Sequence, residues 1–235
     1  MTETLTPAAD LAARRRPPFP GETAGYAAAR QALLAEEIEL RRNLERVAAQ
    51  RRALPAGPAI EKDYRFLDAE GRNLGLADLF GAHDTLVTFF WMFGPQRPRP
   101  CPMCANMLGP WDANAADIAQ KASLKVIARS PVARQLAFAR ERGWSRLEFV
   151  QSVGDDYARD IGALAADGSE MGAGVVYRKG ADGKVRLFWA NEIDFQMADP
   201  GQDPRAVAEM SSPLWNVLDL TPAGRDPDWY PKLAY

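Results

Sequence analysis

The sequence predicts an α/β protein in which a mixed, partly parallel sheet is flanked by helices and preceded by a long amphipathic helix. Three observations predict it. Tyr26, Leu33, Leu40, Val47 and Leu54 recur every seven residues through a stretch without proline. Beyond Pro55, short apolar runs alternate with helical stretches, the pattern that crossover connections and parallel strands require. Near the end, Gly174 to Lys179 and Lys184 to Ala190 flank Gly180-Ala-Asp-Gly183, a hairpin that adds antiparallel members.

Taken in order, residues 1–21 are rich in proline and arginine without periodicity and read as a flexible lead-in. Residues 22–54 form the helical arm. Leu34, Ile38 and Leu44 widen its apolar line into a face, and Glu37 and Arg41 make a favourable i,i+4 pair. Arg41, Arg42, Arg51 and Arg52 read as its solvated side. Such a helix is marginal alone, so its stripe is expected to cover the rest of the chain or a second subunit, giving a homodimer through 22–54. Pro55, Gly57 and Pro58 end it, and residues 59–235 form the α/β domain with a C-terminal extension.

In that domain Asp63 to Leu67 reads as a strand, Asp68 to Gly71 as its turn, and Leu74 to Phe80 as one short connecting element. Thr85 to Phe93 is continuous and rich in β-branched and aromatic residues, as a strand buried on both faces would be. A proline-rich loop, Gly94 to Pro100, leads to Cys101. Ala105 to Ala122 reads as a helix interrupted near Gly109 and Pro110. Leu124 to Arg129 is a strand, and Ser130-Pro131 a helix start with Ser130 as the cap. Leu147 to Gln151 is a further strand, Asp155 to Ile161 a short helix, and Pro204 to Leu218 a helix interrupted at Pro213.

Composition narrows function. The longest charge-free apolar stretch, Thr85 to Gln96, is far shorter than the roughly 18 residues a membrane span needs, so no membrane association is expected. The N-terminus has no apolar signal core, and the expected location is cytoplasmic. With 29 basic against 31 acidic residues, no field recruits nucleic acid. His83 is the only histidine and lies in a turn before a strand, which excludes histidine-rich metal sites. Asp155, Asp156 and Asp160 are accounted for by their place at a short helix, and Gly172-Ala-Gly174 precedes a strand, the wrong side for phosphate binding.

Chemistry therefore concentrates in one motif, Cys101-Pro102-Met103-Cys104, which holds both cysteines of the chain. Placed after a buried strand and at the start of a helix, Cys101 faces free amides and the positive end of the helix dipole, which stabilise a thiolate. One turn later Cys104 resolves a mixed disulfide. Pro102 restricts the backbone between the sulfurs, and Trp91, Phe93, Met103 and Trp111 offer an apolar surround. Other readings of the pair stay open. Zinc requires two further strong ligands that this chain supplies poorly, so no metal and no cofactor are expected. An inert reduced pair in a binding or assembly protein is the second alternative. A thiol peroxidase or redox sensor needs the same accessible thiolate and is a third.

The motifs Trp91-Met-Phe-Gly-Pro95, Cys101-Pro-Met-Cys104, Ile127-Ala-Arg-Ser-Pro131, Arg142-Gly-Trp144 and Leu218-Asp-Leu-Thr-Pro-Ala-Gly-Arg225 stand in fixed order. With Arg30-Gln-Ala-Leu-Leu-Ala-Glu-Glu37, Arg52-Ala-Leu-Pro55 and Glu61-Lys-Asp-Tyr64 upstream, the chain from about residue 22 onward resembles the bacterial domain-of-unknown-function family 899. That resemblance implies a thioredoxin-like fold and a dithiol-disulfide oxidoreductase acting on a thiol or disulfide substrate, with the family's cysteines at Cys101 and Cys104. Three departures stand out. Phe89 and Phe90 occupy positions where relatives often carry a tyrosine-histidine pair, and Pro100 replaces a frequent glycine. No proline falls between Pro131 and Pro200, so the thioredoxin proline that faces the cysteines is missing. Glu170 to Ala173 is expected to line the site instead, with Gly172 permitting close approach.

Overall fold

The structure is a computed structural model that describes residues 5–14, 17–192, 197–202, 213, 217, 220, 221, 226 and 228–233. The chain divides into two units, Met1–Pro55 and Ala56–Tyr235. In the first, a short helix α1 (Ala8–Ala12) precedes α2 (Ala24–Arg52). Thr23 caps α2 by accepting from the Tyr26 amide, and Arg42 ties the helices together by donating to the Thr6 carbonyl at 2.5 Å. Tyr26, Leu33, Leu40 and Leu44 on α2 are all about half exposed.

The second unit is built on a seven-stranded sheet of order β2-β1-β5-β4-β3-β6-β7. Its strands are β1 (Arg65–Leu67), β2 (Asn73–Gly75), β3 (Thr85–Phe90), β4 (Ser123–Ala128), β5 (Glu148–Ser152), β6 (Ala173–Lys179) and β7 (Val185–Ala190). β3, β4 and β5 are parallel, joined by crossovers through α3 (Pro102–Ile118) and α4 (Val132–Glu141); β6 and β7 run antiparallel beside β3. A central strand with a parallel partner on one side and an antiparallel hairpin on the other is the thioredoxin-like mixed sheet, flanked by helices as the sequence predicts.

Alternation along the strands sorts the core into two faces. Phe89, Val126 and Phe149 point to a cluster under α3 and α4 with Leu108, Phe138 and Trp144, whereas Phe90, Ile127 and Val150 join Phe66, Phe80, Tyr157 and Tyr177 on the other side. The buried Thr88 hydroxyl donates to the Val175 carbonyl at 3.0 Å, and the Tyr177 hydroxyl donates to that of Tyr157 at 3.3 Å, so polar groups inside the second cluster find partners. Among the described residues no helix is long and apolar enough to cross a membrane.

Three local expectations are corrected. Leu74 to Phe80 is not one connecting element: β2 pairs antiparallel with β1, and a 3-10 turn follows over Leu76–Phe80. Asp68 makes that hairpin by accepting from the Glu70 and Arg72 amides at 3.1 and 2.8 Å. Ser130 does not cap α4, whose N-cap is Pro131; the Ser130 hydroxyl is buried without a hydrogen-bond partner, while the Ser130 amide donates to the Phe93 carbonyl. Finally, α3 starts at Pro102 and not Ala105, and it runs through Pro110. The predicted helix over 204–218 lies almost wholly outside the described residues.

Candidate active site

The site lies where β3 gives way to α3. Beyond β3 the Trp91 amide still donates to the Ile127 carbonyl at 2.7 Å, extending the ladder by one step. The chain then loops out through Gly94 to Pro100 and returns, since the Cys101 amide donates to the Met92 carbonyl at 3.1 Å. The loop is pinned from outside. Arg134 lies over the Phe93 ring and donates to the Arg97 carbonyl at 2.6 Å; Arg99 lies over Phe138 and pairs with Glu141. Cys101 is the N-cap of α3 and Pro102 opens its first turn, where a missing amide hydrogen costs nothing.

Both cysteines are free thiols and both are buried, Cys101 to 8% and Cys104 to 5% exposure. The Cys104 side chain and the amides of Cys104 and Met103 act on the Cys101 sulfur, and the Tyr230 hydroxyl stands 3.9 Å from it. These donors, the Cys104 thiol foremost, outweigh burial and hold Cys101 down to about 6. Cys104 moves the opposite way, well above the ordinary thiol, because its proton is committed to Cys101, it is buried, and a Cys101 thiolate repels a second charge. The two shifts together favour a thiolate on Cys101 and keep the proton on Cys104.

The register of β3 with β6 places the opposite wall. Phe90 pairs with Ala173, so the preceding Gly172 falls beside the cysteines. A Cβ on Gly172 would stand 3.3 Å from both the Cys104 sulfur and the Phe89 ring. Two residues earlier, the buried Glu170 carboxylate accepts from the Gly94 amide at 3.1 Å, Arg97 at 3.1 Å and Arg129 at 3.3 Å. It thereby locks the segment before β6 to the loop before Cys101. Arg129 also donates to Asp155 at 2.8 Å.

The sequence-derived residues thus fall in different places. Cys101, Pro102, Met103, Cys104 and Gly172 come together at the β3–α3 junction; Met103 is half-buried against the cluster that holds both cysteines. Trp91 is fully buried, with Phe93, Phe138, Trp144 and Phe149 around it at ring-centroid distances of 4.9–6.1 Å, and serves as the centre of the aromatic core. Trp111 meets Phe89 edge-on at 5.8 Å. His83 lies in the turn before β3, and Asp155 and Asp160 are engaged by Arg129, Arg159, Lys62 and Tyr64. Among the described residues no group of three acidic, histidine or cysteine side chains is arranged to hold a metal. Sequence reasoning missed Tyr230, which is far from the motif, and the Arg97–Glu170–Arg129 bridge. The only trace of Tyr230 in the sequence is an aromatic pair, Trp229-Tyr230, set between Pro227 and Pro231.

The family model described as bacterial protein of unknown function (DUF899) matches residues 17–235. The chain belongs to DUF899. No curated protein matches it. Among solved structures this DUF899 chain is similar to peroxidoxin BcpB from Mycobacterium tuberculosis, at 21% identity and TM-score 0.42 over 56% of this chain and 82% of that one. It is also similar to a peroxiredoxin-like protein from Aquifex aeolicus, at 13% identity and TM-score 0.41 over 59% and 75%. A third is the exposed lipoprotein thioredoxin Etrx1 from Streptococcus pneumoniae, at 13% identity and TM-score 0.39 over 55% and 88%.

Proposed function

We propose that this DUF899 protein is a dithiol-disulfide oxidoreductase with Cys101 as nucleophile and Cys104 as resolving thiol. One observation carries the reading: Cys101 is the N-cap residue of α3, and Cys104, one turn on, acts on its sulfur more strongly than any other group. The Cys101 thiolate attacks one sulfur of a disulfide substrate, forming a mixed disulfide and expelling the other sulfur as thiolate. Cys101 is then neutral, so the charge and the hydrogen bond that held the proton on Cys104 are gone. Cys104 loses that proton, attacks the Cys101 sulfur, and expels the second substrate sulfur as thiolate. The pair gives up two electrons and the one proton of Cys104; the leaving thiolates take up that proton and any further one from solvent, and a second thiol pair must restore the dithiol.

Replacing each cysteine in turn tests this. Cys101→Ser abolishes turnover in a coupled thiol-disulfide assay, whereas Cys104→Ser accumulates mixed disulfides on Cys101, read by mass spectrometry. Equal activity of both variants and the parent chain would overturn it.

The exposed stripe of α2 supports a second proposal, that two copies of the chain pair through the 22–54 helix. Leu33 and Leu40 lie two turns apart along that stripe and are both more than half exposed.

A further inference from the structure

The C-terminal segment 228–233 belongs to the same site. Its Pro231 is buried, and Leu233 packs on the cluster that contains Cys101, Cys104, Phe138 and Trp144. Arg142, at the end of α4, donates to the Leu233 carbonyl at 3.0 Å. Between these fixed points and the cysteines, Tyr230 sets its hydroxyl 3.9 Å from the Cys101 sulfur, while the residue as a whole stays 47% exposed. The sulfur beneath is 8% exposed. We propose that residues 228–233 form a strap that seats Tyr230 as a positioning residue on Cys101 and restricts the thiolate to small electrophiles. The proposal deepens the oxidoreductase reading by naming its substrate class: a low-molecular-weight disulfide, not a disulfide held in a folded protein.

The chemistry follows from shape. Thiol-disulfide exchange needs three sulfurs in line, so the disulfide of a folded protein has to bring its own surface down onto Cys101. With the strap in place that surface meets Tyr230 before its sulfur reaches the nucleophile. A small molecule enters beside the ring. Against a thiolate, which can only accept, Tyr230 is the donor of this contact, and that favours the charged form. The other titratable or charged groups that act on the pair are Cys104 on α3 and Arg97 in the proline-rich loop, whose charge acts on Cys104.

The test is alkylation of the reduced full-length chain with N-ethylmaleimide and with a polymer-borne maleimide, with Cys101 adducts quantified by mass spectrometry across pH. In Tyr230→Phe the midpoint for N-ethylmaleimide rises by about one pH unit, the size of one hydrogen bond to a charged sulfur. In the double variant Pro231→Ser, Leu233→Ser, which keeps Tyr230 but removes its anchors, the rate with the polymer-borne reagent relative to the small one rises about tenfold, the equivalent of about 1.4 kcal/mol of docking free energy. An unmoved midpoint in the first variant, or an unmoved ratio in the second, overturns the strap. These readouts need no turnover, so they stand even if Cys101 and Cys104 never form a disulfide. That failure would overturn the oxidoreductase reading alone.

Discussion

At Cys101 the balance lies between burial, which penalises a charged sulfur, and four donors that stabilise it: the Cys104 thiol, the amides of Cys104 and Met103, and the Tyr230 hydroxyl. The donors win, and the result is a pH window. The thiolate fraction grows as pH climbs through about 6, so alkylation of Cys101 is already fast near neutrality and falls off only on acidification. A midpoint near the free-thiol value of about 8.5 would contradict this balance. Gly172 is the second residue on which the site depends. A Cβ there would crowd the Cys104 sulfur and the Phe89 ring at 3.3 Å, and Gly172→Ala is expected to cost about 1–2 kcal/mol in urea unfolding by pressing one of them aside. No loss of stability would mean that the wall is softer than the contact distances imply.

Between elements, the site is held by charges that bridge loops. Glu170 ties the segment before β6 to the loop before α3, and its carboxylate is buried against two arginines, of which Arg129 is largely shielded from solvent. Removing one partner of such a group is worse than never having built it. Glu170→Ala is therefore expected to lower unfolding stability by about 3 kcal/mol and to slow Cys101–Cys104 disulfide formation. Asp112 plays a similar role on α3. Its buried carboxylate accepts from the amides of Ser145, Arg146 and Leu147 at 3.3, 2.8 and 3.0 Å and so positions the entry to β5. The strands β3 to β7 and the junction at Cys101 were legible in the sequence, because apolar runs and turn residues are local signals. The bridges were not. Glu170 lies 73 residues from Arg97 and 41 from Arg129, and no periodicity in a chain announces a pairing made across the sheet. Asp112 was hidden for the same reason, inside a stretch that reads as ordinary helix. Ser130 misled in the opposite direction: a serine before a proline is a good capping signal, but here its amide serves Phe93 and the helix begins two residues later.

Across the whole chain, two parts ask for different measurements. The helix α2 presents Tyr26, Leu33 and Leu40 at seven-residue spacing, all about half exposed, and pairing of two copies through this stripe predicts a dimer whose mass drops to that of one chain in Leu33→Glu, Leu40→Glu. Sedimentation of the variant at the parent's mass would rule that interface out. In the α/β unit, the proposed chemistry rests on Cys101 and Cys104 forming a redox couple. That is tested most directly by equilibrating the protein in thiol-disulfide buffers of graded potential and following loss of both free thiols. One reversible two-electron transition to the intramolecular Cys101–Cys104 disulfide is expected, between about −270 and −120 mV, the span of dithiol catalysts. Two cysteines that stay reduced across the whole range, or that oxidise only between molecules, would contradict it.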